Sequence, residues 1–353
     1  MFRSLTAMIA CTLCCATASA SDQLERIPYN NPGLVVDLGV GLWAWPLPMD
    51  YDGDGDLDLV VSCPDKPYNG IYFFENPGNA SDGLPVFKPA VRLCDAIRNV
   101  QISYVGDDVL VMSPGVEYRN FRKSLLDDKV ELGPPANVDP QYKRTRANQW
   151  KSVDYDADGD LDLIIGLGVW DDYGWDDAWD KDGNWTNGPL HGFVYLVENT
   201  SSTPAAQSSR GASGTKPTYA EPVKLTTADG DPIDVYGMPS PNLADFDNDG
   251  DLDLICGEFM DGFTYFENTG SRRQPTFATG RRLQDAEGTD VRMDLQMITP
   301  VAVDWDSDGD IDLISGDEDG RVAFIENVGK SVFQQPVYFQ QEAADVKFGA
   351  LVT

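Results

Sequence analysis

One acidic pattern recurs four times in this chain and limits its fold more than any other feature. The copies read DYDGDGDLDLVV from Asp50, DYDADGDLDLII from Asp154, DFDNDGDLDLIC from Asp245 and DWDSDGDIDLIS from Asp304. Each has Asp at positions 1, 3, 5, 7 and 9 and Gly at position 6, so twenty of the 58 acidic residues fall in four nine-residue windows. The similarity continues past the loop. Three copies soon reach a Gly (Gly166, Gly257, Gly316), and all four run through an alternating segment ending in Glu-Asn, at Asn76, Asn199, Asn268 and Asn327. An aromatic residue follows (Phe87, Tyr219, Phe277, Phe333) and leads into another strand. One unit is therefore three or four short strands joined by tight turns.

The loop starts lie 104, 91 and 59 residues apart. The first interval holds about two units and predicts a degenerate copy near its middle. Residues 102–115 (ISYVGDDVLVMSPG) keep the strand pattern there and lose the alternating ligand set. The second interval holds one unit and two inserts, a Trp/Asp-rich one at 167–190 and a Ser/Ala/Gly-rich one at 200–215 that reads as a surface loop. Units of ~50 residues with about four strands predict an all-β fold, a β-propeller of four-stranded blades set around an axis.

Five carboxylates within nine residues repel one another strongly unless a cation sits among them. Calcium takes six to eight hard oxygen ligands, and side-chain oxygens at alternate positions of a tight loop can wrap it. The assigned ligands are positions 1, 3, 5 and 9 with the carbonyl of position 7, and Gly at position 6 permits the turn. In the first copy these are Asp50, Asp52, Asp54 and Asp58 with Asp56, and in the second Asp154, Asp156, Asp158 and Asp162 with Asp160. The third set is Asp245, Asp247, Asp249 and Asp253 with Asp251, and the fourth is Asp304, Asp306, Asp308 and Asp312 with Asp310. An EF-hand shares positions 1, 3, 5 and 6 but needs Glu at position 12 between helices. Position 12 here is Val61, Ile165, Cys256 or Ser315, inside a β-branched strand, so that reading fails.

With four D-x-D-x-D-G-D-x-D loops in hairpins, most of residues 40–353 resembles the FG-GAP/VCBS repeats, as in the integrin α-subunit propeller. The resemblance implies a calcium-binding hairpin in each blade and a seven-bladed ring. Five blades are recognisable, and residues 346–353 (VKFGALVT) align with the segment that precedes the last Asp loop. The expectation is an incomplete seven-bladed ring with a sixth blade begun. The other reading is that residues 21–40 and the C-terminal strand close a smaller ring.

The first twenty residues read as a secretory signal peptide: Arg3, an apolar stretch, then Ala18-Ser19-Ala20 at the cleavage positions. The mature chain from residue 21 is expected to be extracellular or periplasmic. It keeps Cys63, Cys94 and Cys256, an odd number that leaves disulfides no framework role. A net charge of −32 repels nucleic-acid phosphates and anionic membranes, and no later segment is apolar enough to insert in a bilayer. About four calcium sites would be structural. At extracellular calcium, a site of ~10⁻⁴ M affinity adds about 1.4 kcal/mol.

Any specific activity is expected at the opposite blade end, where the 167–190 insert lies. It carries Trp170, Trp175, Trp179 and Trp185 among several aspartates. Exposed Trp faces beside carboxylates fit sugar rings, a cap on the blade, or another cation. His191, the only histidine, and Arg292 complete the candidates for this face, whereas Trp43 and Trp45 read as core or pore packing. No Ser-His-Asp order, nucleophile elbow, phosphate-cradling loop or zinc spacing is present. Two functions fit: a secreted binding or adhesion module for an extracellular protein or polysaccharide, or a carbohydrate-active enzyme such as a polysaccharide lyase.

Overall fold

The computed structural model describes residues 34–65, 69–78, 84–106, 108–174, 178–201 and 217–342. The expected signal segment 1–20, Trp175, most of the 200–215 insert and the C-terminal segment 346–353 lie outside the described residues. The described chain is all-β, built from antiparallel sheets of four strands or slightly more.

The first sheet runs Trp45–Met49, Asp58–Cys63, Gly70–Phe74 and Val91–Cys94. The second is the degenerate unit, Gln101–Val105, Asp108–Ser113, Val116–Tyr118 and Lys129–Glu131. The third has Thr145–Val153, Asp162–Val169 and His191–Val197, with Val223–Lys224 and Asp234–Val235 both pairing on the last of these. The fourth is Ser240–Ala244, Asp253–Gly257, Phe263–Phe266 and Arg281–Arg282. The fifth is Thr299–Val303, Asp312–Gly316, Val322–Ile325 and Val337–Tyr338.

Second strands such as DLVVSC and DLISG are buried at every residue, while outermost strands such as Arg281–Arg282 face solvent. That is the pattern of sheets covered on both faces, and it explains the unbroken apolar runs after each Asp loop. Distinct apolar clusters fill the spaces. Leu110 and Met112 of the second sheet meet Trp150 and Leu163 of the third. Ile164 and Val194 meet Leu254 and Cys256 of the fourth. Ile255 and Tyr265 meet Leu313 and Ile325 of the fifth.

The fifth sheet then packs on the first: Val303, Trp305 and Ile314 share a cluster with Leu59, Val61 and Phe74. First strands of successive sheets lie side by side, and that of the fifth lies beside that of the first. Trp43 N–H donates to Glu318 O at 2.9 Å and Ala44 N–H to Asp317 O at 3.1 Å. The fifth sheet therefore packs directly against the first. A strand from each end joins as well: Val35–Asp37 pairs with Gln340–Glu342, which pairs in parallel with Val86–Phe87. Trp43 and Trp45 pack with Val100, Ala147, Met238, Met297 and Val301, as expected of core packing.

The recurring glycines sit where neighbouring sheets come closest. A Cβ on Gly166 would meet Pro239 O at 2.2 Å, one on Gly257 would meet Pro300 Cδ at 2.5 Å, and one on Gly316 would meet Ala44 O at 2.3 Å. The first sheet has Ser62 at this place, and its hydroxyl donates to Ile97 O at 2.9 Å instead. Cys63, Cys94 and Cys256 form no disulfide. Among the described residues no helix is long and apolar enough to cross a membrane.

Gly316→Ala is therefore expected to destabilise the protein by about 1–3 kcal/mol through overpacking. Urea unfolding checks this. A neutral effect would mean that the fifth and first sheets are not in contact.

Candidate metal centres and an aromatic cleft

Each Asp loop joins the first two strands of its sheet, and its backbone is set by two left-handed residues. Position 6 has φ of 104°, 95°, 98° and 97° at Gly55, Gly159, Gly250 and Gly309, where a side chain is strained although nothing fills the space. Position 4 has φ of 58°, 62° and 64° at Ala157, Asn248 and Ser307, a requirement that the varied residues there conceal. Between these turns the carboxylates at positions 3 and 5 each accept the N–H two residues on. Asp158 N donates to Asp156 Oδ1 at 3.2 Å and Asp160 N to Asp158 Oδ1 at 2.9 Å, and the other loops repeat the pair. These bonds aim the side chains to one side of the loop.

Oxygens from Asp154, Asp156 and Asp158 converge within 4.8 Å, as do those of Asp245, Asp247 and Asp249 and of Asp304, Asp306 and Asp308. In the first loop the converging set is Asp50, Asp52 and Asp58. Several oxygens in these loops are buried without a hydrogen-bond partner: Asp154 Oδ1 and Asp304 Oδ1 at position 1, and Asp56, Asp160 and Asp251 Oδ1 at position 7. Orphaned buried oxygens beside converging carboxylates can hold a metal ion, and an all-oxygen set favours a hard one. Burial, with the neighbouring aspartates adding to it, pushes the Asp160 carboxyl up to about 6.

Position 9 has a different use from the loop carboxylates. Asp58, Asp162, Asp253 and Asp312 open the second strands and are buried. Asp58 Oδ2 accepts Tyr51 N at 3.0 Å while Oδ1 accepts Asn76 N at 2.8 Å. Asp162 and Asp312 bind Tyr155, Asn199, Trp305 and Asn327 in the same way. Asp253 takes Asn268 N at 2.8 Å and the Tyr265 hydroxyl at 2.8 Å. The Asn of each Glu-Asn pair is thus a structural residue whose role the sequence did not disclose. Asn76 Nδ2 also donates to Leu57 O at 3.0 Å, and its Oδ1 accepts Gly78 N at 3.1 Å.

The next sheet grips three of the four loops from outside. Arg122 Nε donates to Tyr51 O at 2.9 Å, Arg272 Nη1 to Tyr155 O at 2.9 Å, and Asn327 Nδ2 to Phe246 O at 2.9 Å. Loop geometry and sheet-to-sheet packing are therefore coupled.

At the other end of the third sheet, the 167–190 insert divides the sequence candidates. Trp170 is buried, edge-on to Phe259 at 5.4 Å and under the Arg146 guanidinium at 4.6 Å, so it caps the core and is no ligand contact. Trp179 and Trp185 form a bridged pair with ring centroids 5.3 Å apart, and Tyr173 lies 4.5 Å from Trp185. With Asn187, Pro189 and Tyr236 they line an open cleft of about 370 Å³. Trp179 is 60% exposed, a large apolar surface to leave in water.

Two other candidates are engaged. Arg292 pairs with Asp290 at 2.9 Å and Asp261 at 3.3 Å, far from any free guanidinium. His191 Nδ1 is 2.6 Å from Asp234 Oδ2, its Nε2 is 3.7 Å from Asp172, and its ring stacks on Phe193 at 5.2 Å. No family model matches the chain, and no curated protein matches it.

Burial raises the position-9 carboxyls despite the N–H groups that favour ionisation: Asp58 and Asp253 to about 6, Asp162 and Asp312 to about 7. Their folded pKa exceeds the ordinary value of 3.8, so the folded chain binds more protons in this range and loses stability as pH rises through it. Cation-free protein is expected to melt at least ~5 °C lower at pH 7.5 than at pH 5, and a divalent cation should reverse the trend by favouring ionised carboxylates. Thermal unfolding with and without chelator checks the sign. Higher stability of the cation-free chain at pH 7.5 would contradict it.

Proposed function

We propose that this chain is a secreted, calcium-stapled β-propeller of the FG-GAP/VCBS type that serves as a glycan-binding module. Five sheets in cyclic order support a closed five-bladed ring, with the strands Val35–Asp37 and Gln340–Glu342 fastening its ends. Calcium suits the four Asp loops because every converging atom is a carboxylate oxygen and the extracellular concentration of this ion matches weak multi-oxygen sites. The metal's role is to neutralise the loops and fix their shape, and no chemical step passes through it.

The binding surface is the cleft of Tyr173, Trp179, Trp185 and Tyr236, and the exposure of Trp179 is the observation that carries this reading. A pyranose presents an apolar C–H face that stacks on an indole, while its hydroxyls need polar partners at the rim. Asn187 in the lining supplies both a donor and an acceptor. An extracellular protein partner would need a wider apolar area than these few rings provide.

The Asp234–His191 contact favours a second reading, a carbohydrate-active enzyme such as a polysaccharide lyase. The Asp orients the imidazole as a general base requires. Its free nitrogen faces Asp172, so a base would have to displace that carboxylate. A lyase would release unsaturated products that absorb in the ultraviolet, and their absence leaves the binding module.

Trp179→Ala is expected to weaken binding of neutral oligosaccharides at least ~10-fold while leaving the melting temperature unchanged. A glycan array followed by calorimetry measures this. Undiminished glycan binding by the variant would remove the cleft from the account.

A further inference from the structure

A larger cleft, of about 920 Å³, opens at the Asp-loop end between the first and second sheets. Its origin lies in the degenerate unit. In the second sheet Val105 pairs with Asp108 across a short turn, where the other sheets have an Asp loop. The rim beside Asp50 thus lacks the wall that such a loop would supply. A segment after Tyr118 fills part of the space: it turns at Asn120 (φ 50°) and forms the short helix Phe121–Ser124. Phe121 is buried, and Arg122 and Lys123 are exposed.

The lining combines opposite charges. Arg119, Arg122 and Lys123 meet there with Asp52, Asp108 and Glu117. Arg122 Nη2 lies 3.8 Å from Asp50 Oδ1, and Arg119 Nε lies 3.8 Å from Glu117 Oε1. Three cations in one cleft stand out on a chain of net charge −32. Asp50 and Asp52 belong to the lining and also to the first carboxylate cluster. That cluster alone of the four uses the position-9 Asp58 where the others use position 5.

We propose that this cleft binds an acidic oligosaccharide, with a uronate carboxylate on Arg119, Arg122 and Lys123 and sugar hydroxyls on Asp52 and Asp108. The mixture of charges selects the ligand class. Guanidinium and ammonium groups take a carboxylate through charge-assisted hydrogen bonds. Carboxylates accept from the hydroxyls that every sugar ring presents beside its carboxylate, a donor set that an acidic peptide lacks. A hard cation on Asp50 and Asp52 would offer the uronate further oxygen coordination. The inference does not rest on the aromatic cleft, which lies at the other end of the sheets.

Calorimetric titration of trigalacturonate into the full chain, in about 1 mM calcium, tests it. Trigalacturonate should bind, and maltotriose, which lacks carboxylates, should bind at least ~10-fold more weakly at this site. Lys123→Glu reverses one exposed charge and should cut trigalacturonate affinity at least ~10-fold with an unchanged melting temperature. Trp179→Ala should leave that affinity as it was. The proposal is overturned if trigalacturonate does not bind, or if Lys123→Glu and Arg122→Gln both leave its affinity intact. Loss of binding on Trp179→Ala alone would also overturn it and assign the acidic sugar to the aromatic cleft.

Discussion

Three of the four Asp-loop sheets start their second strand with a buried aspartate whose two oxygens hold two separate pieces of chain. Asp312 takes Trp305 N–H from the loop and Asn327 N–H from the end of the third strand. One carboxylate therefore closes the loop onto the hairpin. Keeping that carboxylate ionised inside the protein costs free energy, and the loop beside it adds four more carboxylates. The arrangement is self-consistent only when positive charge offsets the repulsion. A cation on the converging oxygens would do so, and in the second, third and fourth loops it would leave position 9 to act as a clasp.

The sheets depend on one another for the same reason that single blades are not found alone. Second strands are buried on both faces, so each sheet completes its core only against two neighbours. Contacts at the glycines set how near those neighbours come, and the first and fifth sheets obey the same rule through Ala44 and Gly316. Because Arg122, Arg272 and Asn327 reach across to the loop of the preceding sheet, neutralising a loop also steadies an interface. The loops thus support the scaffold.

Much of this was legible in the sequence because it was local. Alternate aspartates, the position-6 Gly and the buried runs after them identify loop and strand, and even the degenerate unit kept its pattern at Ile102 to Val111. The sequence left open, between two readings, how the fifth sheet meets the first. That junction rests on contacts such as Thr299 Oγ1 with Ala44 O, between residues at opposite ends of the chain, and a repeat counts units without giving the angle between them. Which tryptophan of the insert packs down and which stays exposed was not legible for a related reason. Trp170 and Trp179 have similar local sequence, yet one is held down by Phe259 and Arg146 from elsewhere and the other is not. The partner of His191, Asp234, likewise comes from a distant strand, and Arg292 is consumed by Asp261 and Asp290. The basic arm at Arg119 to Lys123 carried no repeat signal at all, since it replaces what the degenerate unit lost.

Calcium stoichiometry tests the central claim most directly. Titration calorimetry of the chelator-treated chain should show four ions bound per molecule, one for each carboxylate cluster. Absence of binding at about 1 mM calcium would contradict the account, because the loops would then keep their shape with their carboxylates unneutralised.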